Sequence, residues 1–153
     1  MKAYLHQDGD HFDILWNVDC SVGKGGQNSL RTDVLYIQWY YKLAADQVQT
    51  PPDRKEIYRA VELNGICTGR DGDPLVTAIT THQRAINHPQ VDGRVSVATA
   101  SGMLGAQAFF VLRLGARIAN MYPEQWPRLD KIPGCPQEVA EAVRQTVPHV
   151  GHQ

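Results

Sequence analysis

Cysteine is scarce in this chain of 153 residues. Cys20, Cys67 and Cys135 stand far apart and odd in number, with no C-x-x-C pair among them. That spacing supports neither a zinc ribbon nor a dithiol redox motif. Reduced thiols in a cytosolic chain are the default expectation. An excess of one charge is also absent: 15 basic and 16 acidic residues give a formal net charge of −1. No Lys/Arg cluster occurs, so nothing supplies the field that draws in nucleic acid or an acidic membrane. The opening stretch "MKAYLHQDGDHFDILW" has one lysine, and acids where a signal peptide would have its apolar region. Residues 95–112 form the one long uncharged run. Ser96, Thr99, Ser101, Gly102, Gly105 and Gln107 make it too polar for a membrane span, so it reads as a buried helix.

Clustered catalytic or metal-binding residues are missing as well. The six histidines, His6, His11, His82, His88, His149 and His152, are scattered and show no zinc spacing. Asp8, Asp10, His11 and Asp13 match no calcium loop and read as an acidic turn. Glu56, Glu62, Asp71, Asp73 and Asp92 offer many pairs but no constellation for glycoside hydrolysis. A chain without catalysis, metal or cofactor is the expectation.

What is present is enough apolar material for a core, 42% of residues, at a length that fits a single domain. Residues 12–18 alternate with near-strict period two, broken only by Leu15, and predict a strand, with "QDGD" before it as a hairpin turn. Residues 30–45 predict a helix, with Asn28, Ser29 or Thr32 as cap. One face carries Val34, Ile37, Gln38, Tyr41, Ala44 and Ala45, the other Leu35, Tyr36, Trp39 and Leu43. A helix apolar all round is buried on both sides. Residues 54–63 predict a short helix. Asp73 and Pro74 mark the start of another, as N-cap and first helical position, with Leu75, Ile79, His82 and Ile86 on its inner face. A further helix is expected over residues 102–120, with Leu104, Ala108, Val111, Gly115 and Ile118 on one side. A last one starts at Pro136, with Val139, Val143 and Val147 as its stripe.

The stretch "SVGKGGQNS" looks like a phosphate loop but is not one. That loop needs G-x-x-x-x-G-K-[ST], whereas Lys24 lies between Gly23 and Gly25, and Gly26 precedes Gln27. Instead, two segments run parallel in pattern. "VGKGGQN…DVLYIQWYYKL" and "TGRDGDPLVTAITTHQRAI" each place a glycine loop before a helix that carries a glutamine, Gln38 and Gln83. With "VDGRVSV" at 91–97, this resembles the peptidoglycan-binding-like domain, a helical module of two short repeats. The matching positions are Asp71-Gly72, Thr77, Ala78-Ile79 and Gln83, and His82 stands where the pattern has an aromatic. The resemblance covers residues 21–97. It implies a mainly α fold, a small helical bundle with a short N-terminal hairpin. Residues 98–153 are then expected to pack on that bundle as extra helices within one domain.

Such modules are frequent in wall hydrolases, phage lysins and proteins linked to type VI secretion. The resemblance therefore implies a non-catalytic module whose partners are peptidoglycan fragments. Trp39, Tyr40, Arg70 and Arg84 are the candidate ligand-binding residues, as aromatic platforms and carboxylate partners. Trp39 and Tyr36 are alternatively core residues packed against the C-terminal helices. Gly23, Gly25, Gly26 and Gly72 are expected to make tight turns, and Gln38 and Gln83 to hydrogen-bond to such turns. The alternative function is a protein-interaction module, an adaptor, effector partner or immunity protein with a partner encoded nearby. Without an export signal, cytoplasmic synthesis is expected, with delivery to the wall by lysis or a secretion apparatus.

Overall fold

The computed structural model describes residues 1–8, 10–99 and 109–150, with side chains placed outside 4–8, 11–13 and 147–150. Strands β1 (Lys2–Asp8) and β2 (His11–Asn17) pair antiparallel, Asp8 opposite His11 and Lys2 opposite Asn17. Then follow β3 (Val22–Gly23), α1 (Arg31–Ala45), α2 (Pro52–Arg59), α3 (Pro74–Ala85) and β4 (Arg94–Val95). The chain continues through α4 (Phe110–Met121), a 3-10 turn at Leu129–Lys131 and α5 (Gln137–Val150). The fold is thus mainly helical with a short N-terminal hairpin. No helix among the described residues is long and apolar enough to cross a membrane.

Helix α1 is the axis of the molecule. Twelve of its fifteen residues are buried, as its all-round apolar pattern requires. Its Gln38 and Tyr41 face the 64–66 turn and α3. Tyr36 and Trp39 face the C-terminal segment. A methyl group added at Gly115 of α4 would sit 3.6 Å from the Tyr36 hydroxyl, and one at Gly134 4.0 Å from Trp39 Nε1. The core is continuous from Trp16 through α1 to Leu129, Val139 and Val143. Burying each of these large side chains contributes about 1.5–3 kcal/mol. The expected helix over 102–120 is described only from Phe110, and Leu104 and Ala108 lie outside the described residues. Val111, Gly115 and Ile118 are buried as expected.

The hairpin is fastened by indole and amide groups. Trp16 Nε1 donates to Pro127 O at 2.9 Å, and Trp126 Nε1 donates back to Ile14 O at 3.1 Å. Asn17 is fully buried, and its side chain pairs with Ala98 like a strand neighbour, donating to the carbonyl and accepting from the amide at 3.0 Å each. These bonds explain why strict alternation stops near Leu15: Leu15, Trp16, Asn17 and Val18 are all buried.

Helix starts follow local chemistry only in part. Asp73 caps α3, accepting from the Leu75 amide at 2.8 Å, and Pro74 opens the helix as expected. Helix α1 starts differently. Leu30 is its N-cap residue and no side chain caps it. Asn28 turns the other way, accepting from Gly23 N at 2.7 Å and donating to Gly23 O and Gly26 O at 3.0 and 3.1 Å. It closes the glycine loop rather than the helix.

Candidate functional site

Both glutamines reach an Asx-Gly turn and share three bonds there, and Gln38 Oε1 accepts a further one from the Asn64 amide at 3.2 Å. Gln38 Nε2 donates to Asn64 Oδ1 at 3.0 Å and Ile66 O at 3.1 Å, while its Oε1 accepts from Gly65 N at 2.8 Å. Gln83 Nε2 donates to Asp92 Oδ1 and Arg94 O, each at 3.1 Å, while its Oε1 accepts from Gly93 N at 2.9 Å. In each turn the Asx oxygen also accepts from the amide two residues on, Ile66 or Arg94, at 3.0 Å. A buried primary amide has four bonding sites, and unmade bonds there are costly. One side chain therefore locks one turn in each half of residues 21–97.

The turn held by Gln38 is Asn64-Gly65. Asp71-Gly72 makes the tight turn expected of it, with Gly72 at φ +94° and the Asp73 amide donating to Arg70 O at 3.2 Å, but the turn is exposed and no glutamine reaches it. Asp71 instead pairs with Lys24, Oδ1 to Nζ at 3.0 Å. Gly23 does make the close approach expected of it. It has φ +112°, and a methyl group there would lie 2.4 Å from Gly93 O. That fit allows β3 to pair with β4. The Gly25 amide donates to Gly69 O at 3.1 Å and the Gly26 amide to Gly23 O at 3.0 Å.

The four candidate ligand-binding residues do not form one site. Trp39 and Tyr40 are each only 2% exposed, so neither offers a platform. The reason is the cover over α1: the C-terminal segment lies against Trp39, and His82 stacks on Tyr40 at 5.6 Å with ring planes 7° apart. Arg70 and Arg84 are exposed at opposite ends of α3, a helix of twelve residues and so about 18 Å long. Arg70 and Tyr40 therefore share no edge. Four of the five singled-out acids have structural partners: Asp73 as the cap, Asp92 within its turn, Asp71 with Lys24, and Glu62 accepting from Asn64 Nδ2 at 3.2 Å. Among the described residues no group of three His, Cys, Asp or Glu could hold a metal ion. Burial pushes the Cys67 thiol above its ordinary value and Cys135 up to about 12.

A different cluster lies between α1, α2, α3 and α4. Tyr40, Arg54, Tyr58, His82, Ile86 and Arg117 line a cleft of about 280 Å³. It continues past Arg117 to Arg113 and Asn120 on α4. No acidic residue lines either part. At its floor His82 is 7% exposed, with Nδ1 3.2 Å from the Tyr41 hydroxyl and an edge contact to Phe110 at 5.1 Å. Burial first, then the charges of Arg117, Arg54, Arg113 and His88, lower its imidazole from 6.5 to about 3. Burial likewise raises the Tyr58 phenol, and Arg54 opposes the shift. Arg54 does not reach hydrogen-bonding geometry with that hydroxyl, which is buried without a partner among the described residues.

Sequence reasoning missed this cleft because its arginines sit on α2 and α4, far apart in the chain, with no motif linking them. The Asn64-Gly65 turn did have a signal, an Asn-Gly dipeptide. A second depression of about 290 Å³ near His88 and Phe110 is bounded by Ser96 and Phe109, which flank residues 100–108, and no site is built on it. No family model, curated protein or solved structure matches this chain.

Proposed function

We propose that this chain is a non-catalytic recognition module of the bacterial cell-wall kind, built on the peptidoglycan-binding-like pattern. The observation that carries the reading is the twin turn: Gln38 on Asn64-Gly65 and Gln83 on Asp92-Gly93, bonded alike. An internal repeat of glycine loop, helix and glutamine is what the sequence resemblance rests on. The repeated bonds support that reading in both halves. The fold alone does not carry a ligand with it, so the test is direct. Purified protein is mixed with intact sacculi and centrifuged. Retention in the pellet, competed by soluble muropeptides and with no muropeptide released by the protein itself, supports the reading. A folded protein left in the supernatant sinks it.

A second reading is a protein-interaction module, favoured by two apolar side chains beside the Gln38 turn. Leu63 and Ile66 are 40% and 65% exposed. A stoichiometric complex with the product of a neighbouring gene, from a protein that ignores sacculi, is the outcome that selects it.

A further inference from the structure

We propose that the cleft between α1, α2, α3 and α4 is a carboxylate site, taking the chain-terminal carboxylate of a peptide between Arg54 and Arg117, with the Tyr58 hydroxyl as a third donor. The proposal deepens the wall-recognition reading and rests on it for the source of the peptide, but not for the chemistry of the cleft.

Four observations converge on it. First, Arg54 and Arg117 line the same cleft of about 280 Å³, and no acidic residue lines it. Neither guanidinium makes an ion pair with a described residue, whereas Arg31, Arg94, Arg128 and Arg144 all do. Two forked donors matched to two oxygens is the arrangement that favours carboxylate. Second, Tyr58 lines the cleft on a side chain only 3% exposed, and its buried hydroxyl, beside Arg54, makes no hydrogen bond of full geometry among the described residues. A buried donor without a partner costs free energy unless a ligand completes it. Third, the charges facing the cleft are positive: beyond the effect of burial, Arg117, Arg54 and Arg113 each lower the imidazole of His82. Asp53 is exposed and acts on the Tyr58 phenol less than Arg54 or Arg117 does. Fourth, Ala44, Pro51, Ala85 and Ile86 supply small apolar walls, suited to a methyl-sized side chain next to the carboxylate. The volume is near the low end for small-molecule pockets, about 300 Å³. It fits the last one or two residues of a peptide rather than a polymer. Nucleic acid would need a long basic track.

Binding is read by ¹H–¹⁵N chemical-shift titration with N-acetyl-alanyl-alanine in the L and D series, each as the free acid and as the C-terminal amide. Inorganic phosphate is a separate arm. The D free acid is expected to bind in the millimolar range, shifting amides of α2, α3 and α4, and the amide forms about tenfold more weakly or not at all. Arg117→Met, at an exposed position, and Arg54→Met should each weaken the free acid about tenfold, and Tyr58→Phe about threefold, with unchanged circular dichroism. Should Arg54→Met misfold, Arg117→Met decides alone. Equal binding of acid and amide, unaltered affinity in Arg117→Met, or binding of phosphate without carboxylate overturns the site. Preference for the L acid keeps the carboxylate site and overturns the wall peptide as its source. Retention on sacculi by wild type and Arg54→Met/Arg117→Met alike overturns the site and leaves wall recognition standing. Peptide binding without sacculus retention does the reverse.

Discussion

His82 should make this protein measurably weaker in mild acid, and the size of the effect follows from its surroundings. The imidazole is 7% exposed, stacked on Tyr40 and ringed by Tyr41, Tyr58 and Phe110. Its folded value is about 3 against an ordinary 6.5. A depressed value means that the unfolded chain takes up the proton first. The stabilisation from keeping the ring neutral is complete above pH 6.5. It is lost progressively as pH falls from there through the folded value. At pH 5 the unfolded chain is almost fully protonated at this site and the native chain almost not at all. Linkage then gives a loss of ~2 kcal/mol relative to pH 8. His82→Phe removes the titration while keeping an aromatic ring. It also removes the contact between Nδ1 and the Tyr41 hydroxyl. That cost is the same at pH 5 and 8 and cancels in the comparison. The assay is urea unfolding followed by tryptophan fluorescence, on both proteins, at pH 8, 6.5 and 5. The difference in stability between wild type and His82→Phe should shift by ~2 kcal/mol across that range, in favour of the variant at pH 5. A shift below about 0.5 kcal/mol would refute the reasoning, because a buried neutral imidazole must show its proton deficit.

Two further perturbations test the frame. Gln38→Leu and Gln83→Leu should each cost about 1–3 kcal/mol in chemical denaturation, since each leaves one turn without the amide that satisfies it; neutrality of both would remove the twin-turn argument. Gly23→Ala should cost about 2 kcal/mol or more in thermal unfolding. The new methyl group meets Gly93 O at 2.4 Å on a backbone with φ +112°, so an unchanged melting temperature would contradict the close β3–β4 pairing.

Much of the frame was legible in the sequence wherever one residue decides a local event. Asp73-Pro74 marks a helix start because cap and proline act within one turn. The apolar circumference of α1 announces burial on every side, and that burial is also what removes Trp39 and Tyr40 as binding platforms. The sequence pattern places them on a helix, but only the chain path places Gly134 and His82 over them. For the same reason Asn64-Gly65 escaped a sequence reading that singled out Asp71-Gly72. Both are turn-forming dipeptides, and which one meets Gln38 depends on where α2 leaves the loop. The arginine cleft left no trace in any window. Arg54 and Arg117 become neighbours only when α2 and α4 flank α3, and a single arginine on a helix looks like any solvated surface charge.

The two glutamine-held turns differ in one respect that bears on the order of folding. Gln83 closes on a residue nine positions away, and Gln38 on one 26 positions away. Closing the longer loop costs only about 1 kcal/mol more in chain entropy, so the native state tolerates both. The route to it does not treat them equally. Contacts between near neighbours in sequence form before their entropy cost becomes limiting, whereas distant ones wait for collapse. The α3–β4 unit can therefore assemble first and offer a surface on which α1 and its distant turn settle afterwards. In refolding kinetics, Gln83→Leu should then mainly slow folding, while Gln38→Leu should mainly speed unfolding. Two equivalent bonds in the finished molecule would thus act at different moments of its formation, the nearer as part of the nucleus and the farther as a late clasp.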